Sequence, residues 1–348
     1  MPFRVGIAGF GKMGQIRAET LEAAGCTIVS VYDVHYDHEP KYRKAASVDE
    51  IIADPSIDAV VVWRPTLMNK RTPIAALQAG KHVFCEKPPC FNGTEMREII
   101  AVEKASGKTL MYGFNHRHHR AIQKMKELVD SGNFGRVLWM RGRYGKSVDA
   151  SYLNTWRTDP KLAGGGILLD QGIHMLDLFL HIGGQPLDEV NAMVSNLYWQ
   201  TPGLEDNVFA IMRNRASGMS VSLHSTMTQW RHLFSLEVFL ERGQVALNGL
   251  KTGSGSYGEE ILTWAVNRAA APAANFEDEV KLRYETDHSW AVEAELFIEC
   301  VKTGAPVKAG SSAQALEVLD LIDHIYQSDR YEGSHLHTDL LPPIRSVS

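Results

Sequence analysis

Cysteine is scarce: four in 348 residues (Cys26, Cys85, Cys90 and Cys300), too few and too scattered for a disulfide framework. Cys85 and Cys90 lie near one another, but no second pair stands at zinc-site spacing, so buried, reduced thiols and no metal centre are expected. His335 and His337 in the tail are not read as metal ligands. Basic charge is also in short supply. Lysine plus arginine number 36 against 41 acidic residues, a net charge of −5, which excludes the basic footprint of a non-specific nucleic-acid binder. No run approaches the roughly 18 apolar residues of a membrane span. The opening MPFRVGIAGFGKMG lacks the basic region, apolar block and cleavage site of a secretory signal. A cytoplasmic protein without nucleic-acid or membrane partners is expected. At roughly 150 residues per domain the length suggests two domains, with enough core to need no staples.

What is present has a rhythm. Residues 3–10 (FRVGIAGF) read as a short buried strand, and 13–24 carry apolar residues at helical spacing up to Gly25. Strands are expected at 27–32, 59–63, 82–85 and 110–114, and helices at 72–79 and 95–106. Pro73 is read into the first turn of its helix, where proline is tolerated. Strand–helix alternation with near-continuous apolar strands predicts an α/β domain with a parallel sheet over residues 1–121. Beyond it come a helix at 121–131 and longer strands at 136–144, 189–199, 207–213, 219–227, 233–240 and 244–247. One helix is expected over 166–181, and turns at 215–218 and 241–243. Residues 122–348 therefore read as an α+β domain with a mainly antiparallel, open-faced sheet. Its last helices, 290–302 and 313–327, can pack on either domain. Residues 249–258 and 267–276 read as loops, the latter alternatively as a frayed helix.

Gly9-Phe10-Gly11-Lys12-Met13-Gly14 matches G-x-G-x-x-G between a predicted strand and a predicted helix. In that setting Gly9 permits the tight turn, Gly11 lets backbone approach a diphosphate, and Gly14 allows close helix–strand packing. The diphosphate then meets free N–H groups at the helix N-terminus. Asp33, after the second strand, suits the ribose hydroxyls and repels a 2′-phosphate, and Val34 and His35 supply no arginine to hold one. NAD is expected in preference to NADP.

The strings GKHVFCEKP at 80–88, Gly113-Phe-Asn115-His-Arg117, Trp156-Arg157 and GGGILLDQGIH at 164–174 carry a more specific message. Together they resemble the glucose–fructose oxidoreductase/inositol dehydrogenase/rhizopine-catabolism (Gfo/Idh/MocA) family of NAD(P)-dependent oxidoreductases, from the glycine loop to the last helices. The resemblance implies a dinucleotide-binding Rossmann domain, then an open-faced domain, with the active site between them. It carries the lysine of Glu-Lys-Pro onto Lys87, with a cis Lys87–Pro88 bond, and the D-x-x-x-H pair onto Asp170 and His174. It also places Glu86, Lys87, Asn115, Trp156 and Arg157 beside the cofactor. Where relatives have Thr-Pro-Asn, this chain has Arg64-Pro65-Thr66. Pro65 keeps the cofactor loop, and Arg64 reaches either a cofactor phosphate or a phosphorylated substrate.

The residues themselves agree with this chemistry. Asp170 and His174 stand four apart on an expected helix and so share a face. Oxidising a secondary alcohol removes a hydride from carbon and a proton from oxygen. His174 suits the proton, Lys87 the developing alkoxide, and Asp170 the orientation of His174 or of a neighbouring hydroxyl. Whether Lys87 or His174 moves the proton is left open. Arg117, Tyr144, Tyr152 and Asp159 are candidate sugar contacts, and the His116–Arg120 run (HRHHR) reads as interface and helix start. The expected function is an NAD-dependent dehydrogenase of a sugar, sugar phosphate, nucleotide sugar or cyclitol, working as a homodimer or homotetramer. The alternatives are an NAD-dependent glycosidase of the same fold and a non-catalytic sugar-sensing regulator.

Overall fold

The computed structural model of the chain describes residues 3–35, 41–253, 255–266 and 275–329. His335 and His337, and most of the 267–276 segment, lie outside the described residues. In chain order come β1 (Arg4–Ala8), α1 (Lys12–Ala23), β2 (Thr27–Tyr32), β3 (Arg43–Lys44), α2 (Val48–Ala53), β4 (Ala59–Val62), α3 (Met68–Gln78), β5 (His82–Glu86), α4 (Gly93–Ser106) and β6 (Leu110–Gly113). There follow α5 (Arg120–Asp130), β7 (Val137–Gly145), the one-turn α6 (Pro160–Ala163), a π-helical turn (Leu168–Gly172) and α7 (Ile173–Gly183). The chain continues with β8 (Glu189–Ser195), β9 (Asn207–Arg213), β10 (Ser220–Thr226), β11 (Leu233–Leu240), β12 (Gly243–Asn248), β13 (Glu260–Val266) and β14 (Val280–Tyr284). Two helices close it, α8 (Ser289–Thr303) and α9 (Ser312–Ser328). The chain divides into two compact units, one of residues 1–115, 162–164 and 288–319, the other of 116–161, 165–287 and 320–348.

The first unit is a six-stranded sheet in the order β3-β2-β1-β4-β5-β6, every pair parallel. All four residues of β4 are buried, as are Val5, Ile7 and Ala8 of β1. Such unbroken apolar strands need cover on both faces. Phe297 and Ile298 of α8 complete one core, with Val5, Ile7, Phe84 and Met111. Because β2 and β4 flank β1 on opposite sides, the strand order reverses there, and a crevice opens at the carboxyl ends of β1 and β4.

Helix α3 begins at Met68, so Pro73 sits inside it and not in its first turn. The polar run Asn69-Lys70-Arg71 hid that start, since Asn69 is buried as a hydrogen-bond donor. Buried Ala76 and Leu77 hold the helix down despite the backbone bond that proline removes. The short α2, capped by Ser47 accepting from the Glu50 N–H, was not expected.

In the second unit eight strands run β14-β13-β12-β11-β7-β10-β9-β8, antiparallel except for the central β7–β10 pair. In β11 the buried Phe234, Leu236, Val238 and Leu240 alternate with less buried neighbours. Helix α7 covers the inner face so closely that a Cβ on Gly142 would stand 2.5 Å from the Met175 sulfur and from Phe179 Cζ. The other face leaves Met193, Phe209 and Ile211 at least half exposed. Strand β8 stops at Ser195, short of the expected 199, because the amides of Leu197, Tyr198 and Trp199 turn to the Asp206 carboxylate. Strands β13 and β14 were missed; β14 is short and mostly exposed, although Val280, Leu282 and Tyr284 alternate with Lys281 and Arg283.

All four cysteines are buried and none is in a disulfide, and burial pushes the Cys26 thiol up to about 11. Among the described residues no helix is long and apolar enough to cross a membrane, and no His/Cys/Asp/Glu group is arranged to hold a metal ion.

Candidate active site

The glycine loop joins β1 to α1. Gly9 has φ +104°, and a Cβ there would lie 1.6 Å from the Trp63 carbonyl oxygen. At Gly14 it would lie 2.2 Å from the Gly9 oxygen. Both positions exclude side chains for internal reasons. Gly11 differs: the nearest protein atom to its Cβ would be Trp63 Nε1 at 3.9 Å. Gly11 is also the N-cap of α1 and brings no side-chain acceptor, and the first turn, which includes Lys12 and Met13, holds no acidic residue. The loop thus forms a cradle that a side chain on Gly11 would fill, at a helix end suited to an anion. The Asp33 carboxylate accepts from Phe10 N–H at 2.7 Å and from His35 N–H at 2.9 Å, which ties the end of β2 to the loop. Beside it, Arg64 is half-buried with its guanidinium 5.9 Å from the Tyr32 ring centre, and burial lowers its pKa. Arg64, Arg71 and Asp49 line a cleft of about 180 Å³, and Pro65 follows Arg64 after β4.

Lys87 sits on the turn after β5, and the Lys87–Pro88 peptide is cis, as expected. From Val83 to Gly93 every residue except Lys87 is buried. Glu86 points inward, where its carboxylate takes the Arg17 guanidinium at 2.6 Å. Asn115, at the end of this unit's first segment, donates to Ser289 Oγ at 3.0 Å.

In the second unit the 166–181 stretch is not one α-helix. Asp170 lies on the π-helical turn and His174 in the first turn of α7, a junction type often found at functional sites. Asp170 is 7% exposed, with Arg157 Nε 3.4 Å and Lys146 Nζ 3.6 Å from its oxygens. The Arg157 guanidinium also rests 4.5 Å from the Trp156 ring centre. His174 is buried and stacks on His116, ring centres 3.8 Å apart. His116 Nε2 shares a hydrogen bond of 2.9 Å with the Tyr144 hydroxyl. Burial first, then neighbours that include Asp170, push the phenols of Tyr144 and Tyr152 above their ordinary values, so both remain protonated donors.

Other expected contacts already have partners within the protein. Arg117 grips Asp177 with Nε and Nη2 at 2.8 and 2.6 Å, both residues buried, so its donor fork is turned to the interior and not to an open surface. The Glu86 carboxylate is likewise spent on Arg17. Asp159 is exposed and accepts from the Lys161 N–H. Gly166 packs against Glu205, which accepts from the amides of Gly166 and Leu168 and from the Tyr326 hydroxyl. Sequence reasoning missed Lys146, two residues beyond Tyr144 at the end of β7, and Glu205, which no motif marked.

Comparison with known proteins finds two family matches in succession. Residues 3–114 match an oxidoreductase family described as an NAD-binding Rossmann fold, and 122–246 match the GFO/IDH/MocA C-terminal domain. Myo-inositol 2-dehydrogenase of Thermotoga maritima is 28% identical over 323 residues, 87% of this chain and 89% of that protein. Inositol 2-dehydrogenase of Rhizobium meliloti is 26% identical over 339 residues, 94% and 97% of the two. The structure of a levoglucosan dehydrogenase in complex with NADH and levoglucosan has the same fold, with a TM-score of 0.80 at 22% identity over 94% of this chain and 97% of that one. With an NAD-binding Rossmann domain followed by its characteristic second domain, the chain belongs to the Gfo/Idh/MocA family of oxidoreductases.

Proposed function

We propose that this enzyme moves a hydride between NAD and a secondary hydroxyl carbon of a sugar or cyclitol, with Lys87, Asp170 and His174 acting on the hydroxyl. The observation that carries the reading is Lys87, the one partly exposed residue in a buried stretch, rooted on the turn beside the nucleotide crevice. Residues 1–121 bind the cofactor in this reading, and 122–348 hold the substrate and the oligomer contact. Gly9, Phe10, Gly11, Lys12, Met13 and Gly14 would cradle the diphosphate, and Asp33 would accept the ribose hydroxyls. Arg64, Pro65, Asn115, Trp156 and Arg157 would make the remaining cofactor contacts. NAD supplies the hydride acceptor when bound.

His174 takes the hydroxyl proton, a task suited to an imidazole whose ordinary pKa lies near neutrality. The Lys87 ammonium steadies the negative oxygen as it develops. Asp170, fixed by Arg157 and Lys146, orients the hydroxyl and is kept from drifting by two cations. Tyr152 offers a hydroxyl donor to the sugar ring, and Tyr144 does so when His116 Nε2 is the donor in their shared hydrogen bond. Apolar Met193, Phe209 and Ile211 on the open sheet face support a homodimer or homotetramer, which sedimentation at micromolar concentration would refute by finding a monomer. Four buried reduced thiols support a cytoplasmic location.

The test is NADH formation from NAD with myo-inositol, levoglucosan and alkyl glucosides. At least one is expected to be oxidised, and Lys87→Ala should abolish turnover while NAD affinity stays. Good NAD binding with no oxidation of any sugar or nucleotide sugar would turn the reading towards a sensor or a glycosidase.

A further inference from the structure

We infer that Arg17 and Asn69 are positioning residues for Lys87, clamping its turn from two sides. This rests on the role proposed for Lys87 above. Arg17 follows the glycine loop on α1 and is only 1% exposed despite its charge. Its guanidinium lies 4.3 Å from the Phe84 ring centre and 4.5 Å from that of Trp290. Nε donates to Glu86 Oε1 at 2.6 Å, and Nη2 donates to Glu293 Oε2 on α8 at 2.5 Å. Gly113 on β6 leaves the room: a Cβ there would stand 2.7 Å from Glu86 Oε2 and 3.2 Å from Arg17 Nη2. A buried charge cluster of this kind adds little net stability, but its hydrogen bonds hold one geometry of the three side chains. That geometry belongs to Glu86, the residue directly before Lys87.

The second hold is on the backbone. Asn69 of α3 is 1% exposed, and its Nδ2 donates to the Pro88 carbonyl at 2.8 Å and lies 3.5 Å from the Glu86 carbonyl. Those carbonyls flank Lys87 on either side. The Glu86 side chain and the main chain before and after Lys87 are therefore fixed, while the Lys87 side chain keeps partial exposure. A lysine is long and flexible, and a fixed root limits where its ammonium can go. Neither Arg17 nor Asn69 needs to touch the substrate to do this.

The test uses the full chain. Asn69→Ala removes the backbone hold, and Arg17→Lys keeps the charge but not the rigid fork that sets Nε on Glu86 and Nη2 on Glu293. Amide exchange of a peptide spanning 83–92 reads the turn, NADH titration reads the cofactor site, and turnover of myo-inositol and levoglucosan reads the chemistry. In Asn69→Ala this peptide should exchange about tenfold faster. kcat should fall by about 100-fold, while NADH affinity and sugar KM stay within about threefold. Arg17→Lys should show the same split of kcat from KM, and it carries the test if Asn69→Ala does not fold. A folded Asn69→Ala with kcat within about twofold of wild type, beside a dead Lys87→Ala, would remove the clamp and leave the role of Lys87 standing. If Lys87→Ala itself turns over normally, the role of Lys87 falls instead; exchange then judges the clamp, and unchanged exchange in Asn69→Ala overturns it.

Discussion

Replacing Arg117 or Asp177 separates an internal ion pair from a sugar contact. The pair is bidentate, Asp177 is fully buried and Arg117 is 5% exposed, so removing either partner strands a charge in the interior. Breaking such a pair costs about 3–5 kcal/mol, whereas replacing both partners with apolar residues of similar volume is near neutral or stabilising. Arg117→Met and Asp177→Leu should each destabilise by about that amount, a drop of roughly 6–20 °C in melting temperature. The double variant should recover most of the loss, so the mutant cycle is strongly non-additive.

The pH dependence of Arg117→Met has a definite sign. Burial raises the Asp177 carboxyl, and Arg117 pulls it back down. Without Arg117 only the raising influence is left, so the folded pKa stands well above the unfolded one. The Arg117→Met protein then holds its full relative stability below the unfolded carboxylate value and loses it as pH rises through the folded value. Urea titrations of the four proteins at several pH values measure both effects. Single variants losing less than about 1 kcal/mol, or a double variant as unstable as the sum of the singles, would refute the argument. Arg117→Met with raised sugar KM and unchanged stability would return Arg117 to the substrate.

Two other predictions concern the site directly. Asp33→Ala should weaken NAD far more than sugar binding, as titration of each would show, and equal losses would mean that the carboxylate only ties the end of β2 to the glycine loop. The pH–rate profile of His174→Asn should lose its near-neutral limb, and a retained limb would assign the proton to another group.

The parts that were legible in the sequence are those encoded by neighbours. The stretch from β1 through the glycine loop to Asp33 is written in consecutive residues, with glycine placed by turn geometry and apolar runs by burial. The hairpins β9–β10 and β11–β12 were readable for the same reason. Partnerships across long separations were not. Arg117 meets Asp177 60 positions on, and Arg17 meets Glu293 276 positions on, choices made by packing and not by spacing. The π-helical turn under Asp170 left no mark either, since Leu168–Gly172 has the apolar pattern of an ordinary helix. Asn69 drew no reading from the sequence, because a buried amide and an exposed one look alike in a string of letters.

The three glycines of the nucleotide loop answer to different masters. At Gly9 and Gly14 the fold itself forbids anything larger, so lineages that abandon the cofactor would still be compelled to keep them. At Gly11 the surrounding protein leaves vacant space, so the constraint there would come from the dinucleotide proposed to lie against it. Drift at that single position would be the earliest sign, among descendants of this chain, that the nucleotide had ceased to matter.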